Sequence, residues 1–189
     1  MFFFIITKKI SPSPTKMIEV LRLSHRLKRD VRVSTHCALA SRALGASKIY
    51  YSGQHDSSYE DSVNKIVSNF GGDFAITYVK NPVELIKSKK RENYFVVHLT
   101  CYGLELNKEI SKIRKNKKIL VIVGSEKVPP EIYHLADINL SIGNTPHSEI
   151  SALSIFLYEF FGKDILNKNF ENAKIKIIPS KIGKRVIKS

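Results

Sequence analysis

Apolar runs of strand length recur along this chain, and each is followed by a stretch with helical periodicity. That alternation constrains the fold more tightly than any other feature. Ile18, Val20, Leu21 and Leu23 open the series, and further runs lie at residues 48–52, 74–79, 95–99, 119–123 and 138–142. Between them, Tyr59, Val63, Ile66, Val67 and Phe70 fall at i, i+4, i+7, i+8 and i+11, one stripe of an amphipathic helix. Gly71-Gly72 ends it. Asn81-Pro82 supplies a helix cap followed by an N1 proline. Leu106, Ile110 and Ile113 mark another helix, and residues 129–135 a short one. Ile150, Leu153, Phe156, Leu157, Phe160 and Phe161 form a stripe wider than one core face needs, suited to a core or to a dimer interface. Met17 opens an alternating strand, residues 22–32 read as a basic loop, and Ser34 or Thr35 caps a helix running to Gly45. A late strand at 173–178 leads into a basic tail. Strand and helix in repetition predict an α/β fold, a mostly parallel sheet flanked by helices on both faces. The continuous run Phe95, Val96, Val97 and Leu99 suits a strand covered on both sides.

Two glycine-led loops follow strand-like runs: Gly124-Ser125-Glu126-Lys127-Val128 and Gly143-Asn144-Thr145-Pro146-His147-Ser148-Glu149. Open α/β sheets hold ligands at such carboxyl ends. Neither a G-x-G-x-x-G after the first strand nor a P-loop is present.

Thirty-one Lys and Arg against 17 Asp and Glu leave a net charge of +14. That excess favours capture of a polyanion, with nucleic acid the favoured partner; the plainer reading is a lysine-rich solvated surface. Cys37 and Cys101 have no metal-ligand spacing and fit a reducing cytoplasm. Phe2-Phe3-Phe4-Ile5-Ile6 is too short to span a bilayer, and Ser11-Pro12-Ser13-Pro14 reads as a linker. Residues 1–16 are therefore expected to be a leader outside the functional start, or else an edge strand. Residues 17–189 are expected to form a single domain with its basic tail.

Several motifs recur in this order in one group of proteins: Leu21-Arg22-Leu23-Ser24-His25-Arg26, Arg32-Val33-Ser34-Thr35-His36, Arg42-Ala43-Leu44-Gly45-Ala46, His98-Leu99-Thr100-Cys101-Tyr102-Gly103, and the two glycine-led loops. From Met17 to the basic tail the chain resembles the archaeal tRNA cytidine-56 2'-O-methyltransferases of the SPOUT superfamily. It departs from the family's usual Gly at Ser24, Gln at Thr145, Met at Cys101 and a smaller residue at Ser125.

The resemblance implies a deep C-terminal trefoil knot, a rare exception to unknotted connectivity. It also implies a homodimer with the site near the subunit interface, and methyl transfer from S-adenosylmethionine to a ribose 2'-hydroxyl in the tRNA T-loop, without a metal. The cofactor brings an activated leaving group; the protein must bind it, align the ribose oxygen and remove a proton. Cofactor binding is expected at Leu99 and Thr100, at Gly124, Ser125, Glu126, Lys127 and Val128, and at Ile142, Gly143, Asn144, Thr145, Pro146, His147, Ser148 and Glu149. Arg22, His25, Arg26, Arg29 and Arg42 are expected to contact RNA phosphates. Arg32 and Arg22 are the candidates for activating the ribose hydroxyl, with Arg42 in reserve and His36 as a base or orienting group. Two other readings stay open at this level: a catalytically silent RNA-binding protein of the same fold, and a knotted methyltransferase acting elsewhere on RNA.

Overall fold

The computed structural model describes residues 16–124 and 127–188. Their order is β1 (Met17–His25), α1 (Val31–Ala43), β2 (Lys48–Gly53), α2 (Ser57–Phe70), β3 (Ala75–Tyr78), α3 (Pro82–Arg91), β4 (Phe95–Glu105), α4 (Leu106–Ile113), β5 (Lys118–Val123), α5 (Pro130–Leu135), β6 (Ile138–Ser141), α6 (Glu149–Phe161), a 3₁₀ turn (Lys163–Asn167), β7 (Ile175–Ile178) and β8 (Arg185–Lys188). Residues 1–15 of the expected leader lie outside the described residues, while Lys16 sets its ammonium 4.9 Å from the Phe160 ring centroid.

Six strands form one sheet in the order β3-β2-β1-β5-β4-β6, and every neighbouring pair is parallel. Helices α1, α2, α4 and α6 pack on one face, and α3 and α5 on the other. The wide stripe of α6 divides accordingly. Leu153, Phe156 and Leu157 are fully buried, each contributing about 1.5–3 kcal/mol. Ile155 and Tyr158 on the same helix stay exposed. No helix of the described residues is long and apolar enough to cross a membrane.

Four sequence expectations change. β1 does not alternate: it is central, with β2 and β5 beside it and helices over both faces, so residues 18–23 are all buried. The basic loop is short, because β1 runs on through Arg22 to His25 and α1 begins at Val31. Ser34 and Thr35 are inside that helix, not at its cap. Asp30 holds the cap position, its backbone carbonyl accepting from Ser34 N at 2.7 Å while its carboxylate is drawn to Arg26. The basic tail folds back as β8, antiparallel to β7.

Arg42, expected at the RNA, is buried and works on the chain itself. Its Nη2 donates to the Phe70 carbonyl at 2.7 Å and to that of Gly71, satisfying the carboxyl end of α2, and Phe170 lies over its guanidinium. Burial lowers its pKa.

Candidate active site

The strand order reverses direction between β1 and β5, which is where open α/β sheets form ligand crevices. A cleft of about 630 Å³ occupies this place. Leu99, Thr100 and Cys101 reach it from β4, Gly124 and Val128 from beyond β5, and Ile142 and residues 146–149 from beyond β6. Arg26, Arg29, Asp30 and Val33 close it from the end of β1 and the start of α1.

The structure thus brings together Leu99, Thr100, Gly124, Val128, Ile142, Pro146, His147, Ser148 and Glu149 from the expected cofactor set. Gly143, Asn144 and Thr145 do not line the cleft. The first two form a strap behind it. Asn144 Nδ2 donates to the Cys101 and Gly103 carbonyls at 2.8 and 3.2 Å, and Gly143 N donates to Ser141 Oγ at 3.0 Å. The two Asn144 bonds tie the loop after β6 to the outer part of β4, whose pairing with β6 shifts register between Leu99 and Leu104. Ser148 accepts from Ile150 N and caps α6, as its residue type suggests. Thr145 and Lys127 are exposed, and Ser125 and Glu126 lie outside the described residues.

Beneath the cleft sits Arg22, 1% exposed. Its Nη2 lies 3.4 Å from Glu149 Oε1 and 3.9 Å from Asp30 Oδ2, while Nε and Nη1 have no hydrogen-bond partner among the described residues. Asp30 is held below the usual carboxylate range, chiefly by the hydrogen bond from Arg26 and further by Arg22, against the opposing effect of burial. Arg22 therefore fixes the Glu149 carboxylate at the cleft wall from below; a guanidinium this deeply buried does not reach an RNA phosphate.

His25 is likewise 1% exposed, which removes it from the expected RNA contacts. Its Nε2 lies 3.1 Å from Asp56 Oδ2, its Nδ1 2.7 Å from Ser34 Oγ, and its ring stacks on Tyr59. A neutral ring with its proton on Nε2 satisfies both bonds, donating to Asp56 and accepting from Ser34. Burial lowers the His25 pKa, opposed by the Asp56 bond. The group locks β1 to α1 and to the capped start of α2. Arg32 and His36, one turn apart on α1, both face solvent and do not line the cleft.

Among the cleft residues that the sequence reading did not assign to the site are Asp30, His98 and Tyr133. Asn139 Nδ2 donates to the Tyr133 carbonyl, which leaves its Oδ1 as the acceptor facing His98 Nδ1 at 2.8 Å. His98 thus carries its proton on Nδ1, and its Nε2 presents a lone pair with no partner among the described residues. Burial lowers the His98 pKa, opposed by Asn139, and favours the neutral form. The Tyr133 hydroxyl lies 3.3 Å from Thr100 Oγ1. The signal available in sequence for His98 was a polar residue inside an otherwise apolar run; Tyr133 is selected only by tertiary packing.

This sheet with a cleft over its strand tips is the fold of SpoU-type methyltransferases. AviRb of Streptomyces viridochromogenes, solved with AdoMet, matches at TM-score 0.58 and 18% identity over 79% of this chain, which spans only 58% of that structure. A TrmH/SpoU tRNA-modifying enzyme of A. aeolicus matches at TM-score 0.56 and 20% identity, covering 77% and 74% of the two chains. Within that fold, the chain belongs to the family described as tRNA ribose 2'-O-methyltransferase, aTrm56, which residues 70–187 match. Proteins named tRNA (cytidine(56)-2'-O)-methyltransferase are 51% identical in Methanocaldococcus jannaschii, covering 91% of this chain and 97% of the relative. In Nitrosopumilus maritimus the figures are 46%, 90% and 96%.

Proposed function

We propose that this protein transfers the methyl group of S-adenosylmethionine to the ribose 2'-hydroxyl of cytidine 56 in the T-loop of tRNA. What carries the reading is the convergence of residues 99–101, Gly124, Val128 and 146–149 on one cleft, in a chain 51% identical to a relative of that name. The cofactor suits what lines the cleft. Strand-tip backbone offers N–H and C=O groups for its adenine, and His98 Nε2, without a partner among the described residues, is an acceptor for one of its N–H or O–H groups. The Glu149 carboxylate, held by Arg22, complements a cationic sulfonium or ammonium. When bound, the cofactor supplies the activated methyl group.

Arg26 and Arg29, at the mouth of the cleft, contact RNA phosphate in this reading, and Arg22 is a positioning residue acting through Glu149. The trefoil knot is supported by the Asn144 strap across the arch of β4. A homodimer is supported by exposed apolar residues on that arch and on α6: Tyr102, Leu104, Ile155 and Tyr158. Action on tRNA would place the protein in the cytoplasm.

The test is methyl transfer to an unmodified tRNA transcript, followed by alkaline cleavage. One gap in the ladder, at the T-loop cytidine, is expected, because a methylated 2'-oxygen cannot attack the adjacent phosphate. Incorporated methyl with an unbroken ladder points instead to a base nitrogen. Binding of RNA without any donor binding by calorimetry points to a silent RNA-binding protein.

A further inference from the structure

Residues 174–188 carry Lys174, Lys176, Lys181, Lys184, Arg185 and Lys188, and neither Asp nor Glu. They form the β7–β8 hairpin, a two-stranded sheet separate from the main one. A lone two-stranded hairpin is marginal in water. This one is rooted at the carboxyl end of α2, where Lys174 Nζ donates to Ser68 Oγ at 3.2 Å and Gly72 N donates to the Glu171 carbonyl at 2.8 Å. Beyond that root it stands open: all of β8 is exposed, and Ile177 and Ile182 are 69% and 84% exposed. We propose that this hairpin is a second RNA-contacting surface, its cations seated on the phosphate backbone of the tRNA away from the cleft.

The proposal rests on the methyltransferase reading for the identity of the polyanion. Charge complementarity selects the partner. Six cations without a balancing acid are what a phosphate chain neutralises, whereas pairing with the same hairpin of a second copy would set six cations against six. The root lies at the amino edge of the sheet and the cleft at its carboxyl edge, separated by the length of α2. Fourteen residues of helix span about 20 Å. A ligand that touches both must be at least that long, as a folded RNA is. The hairpin therefore acts on RNA affinity and leaves the reacting atoms alone.

The triple variant Lys176→Gln, Lys184→Gln, Arg185→Gln in the full chain tests this by filter binding of tRNA transcript across a salt series. The dissociation constant is expected to rise about tenfold near physiological salt. The slope of its logarithm against log salt should fall by about 2–3, the value for three lost phosphate contacts. S-adenosylmethionine affinity, kcat and sedimentation coefficient should stay at parent values. The charge-preserving Lys176→Arg, Lys184→Arg variant should bind as the parent does, separating charge from folding. Unchanged affinity and salt slope in the triple variant overturn the proposal. So does a change confined to sedimentation, or one confined to binding of phosphatidylserine vesicles, since those make the surface a subunit or membrane contact. If the parent methylates nothing yet the variant still loses RNA affinity and salt slope, the hairpin assignment stands and the enzymatic reading falls.

Discussion

Gly143 offers a sharp test of the strap behind the cleft. Its φ is +125°, a conformation that residues with a Cβ rarely adopt, yet a Cβ built there meets nothing within 4 Å. Gly143→Ala therefore costs backbone strain without collision, about 1–3 kcal/mol. The loop is exposed, so it relieves the strain by changing shape, and Asn144 then leaves the Cys101 and Gly103 carbonyls. The expected result is a modest fall in unfolding midpoint with a rise in the S-adenosylmethionine dissociation constant of about 5- to 150-fold, the strain energy transferred to binding. Gly124→Ala is the contrasting case. There the new Cβ collides with the Val128 side chain, so Val128→Ala should rescue it, while no second-site truncation should rescue Gly143→Ala. Calorimetric titration of the variants, paired with thermal unfolding, decides. If Gly143→Ala binds donor within twofold of the parent and unfolds at the parent midpoint, the reasoning is refuted.

Three further outcomes are expected. His25 and His98 both have pKa values lowered by burial, so below about pH 6.5 the unfolded chain takes up their protons more readily than the folded one. Stability should be full above that pH and fall on acidification by at most about 1.4 kcal/mol per pH unit for each histidine, read from urea midpoints between pH 7.5 and 5; a flat profile contradicts it. Arg42→Met should cost about 1–3 kcal/mol in urea unfolding by abandoning the Phe70 and Gly71 carbonyls, with KM for tRNA within twofold. A selective loss of RNA affinity would return Arg42 to the RNA face. Ser24→Gly should stabilise by about 0.5–1 kcal/mol in the same assay, since Ser24 has φ +59°, where glycine is unstrained; a loss of stability would show that its side chain matters more than its backbone.

The layers of the fold were readable because periodicity reports burial. Tyr59 and Val63 form the buried stripe of α2, and the caps at Asn81 and Ser148 stand where their residue types put them. What misled was charge. Arg22 and His25 looked like loop residues because polar side chains rarely sit in a buried central strand, and their partners Glu149 and Asp56 lie 127 and 31 residues away. Ser34 looked like a helix cap because its hydroxyl suits one, but that hydroxyl is engaged by His25. Ser24 departs from the family's glycine at the one place in β1 where the chain turns left-handed, a strain the one-letter code does not display.

The proposed reaction needs opposite charge environments a short distance apart, and the burial pattern supplies both. Inside, Asp30 and Glu149 stand at the cleft with Arg22 beneath them, its Nε and Nη1 unpaired among the described residues. Burying a guanidinium with two idle donors costs desolvation free energy, of the order of a kcal/mol or more for each, that a methionine of similar length would avoid. Such an arrangement persists when the guanidinium does something packing cannot, here holding the Glu149 carboxylate in place and aimed at a cationic donor. Outside, Arg29 is exposed and Arg26 half-exposed at the mouth of the cleft, where solvent bears the cost of their charge and a phosphate chain can displace it. Reversing that order, cations within and carboxylates on the rim, would repel the sulfonium and the RNA alike. The depth of each charge, more than its presence, sorts the donor from the acceptor.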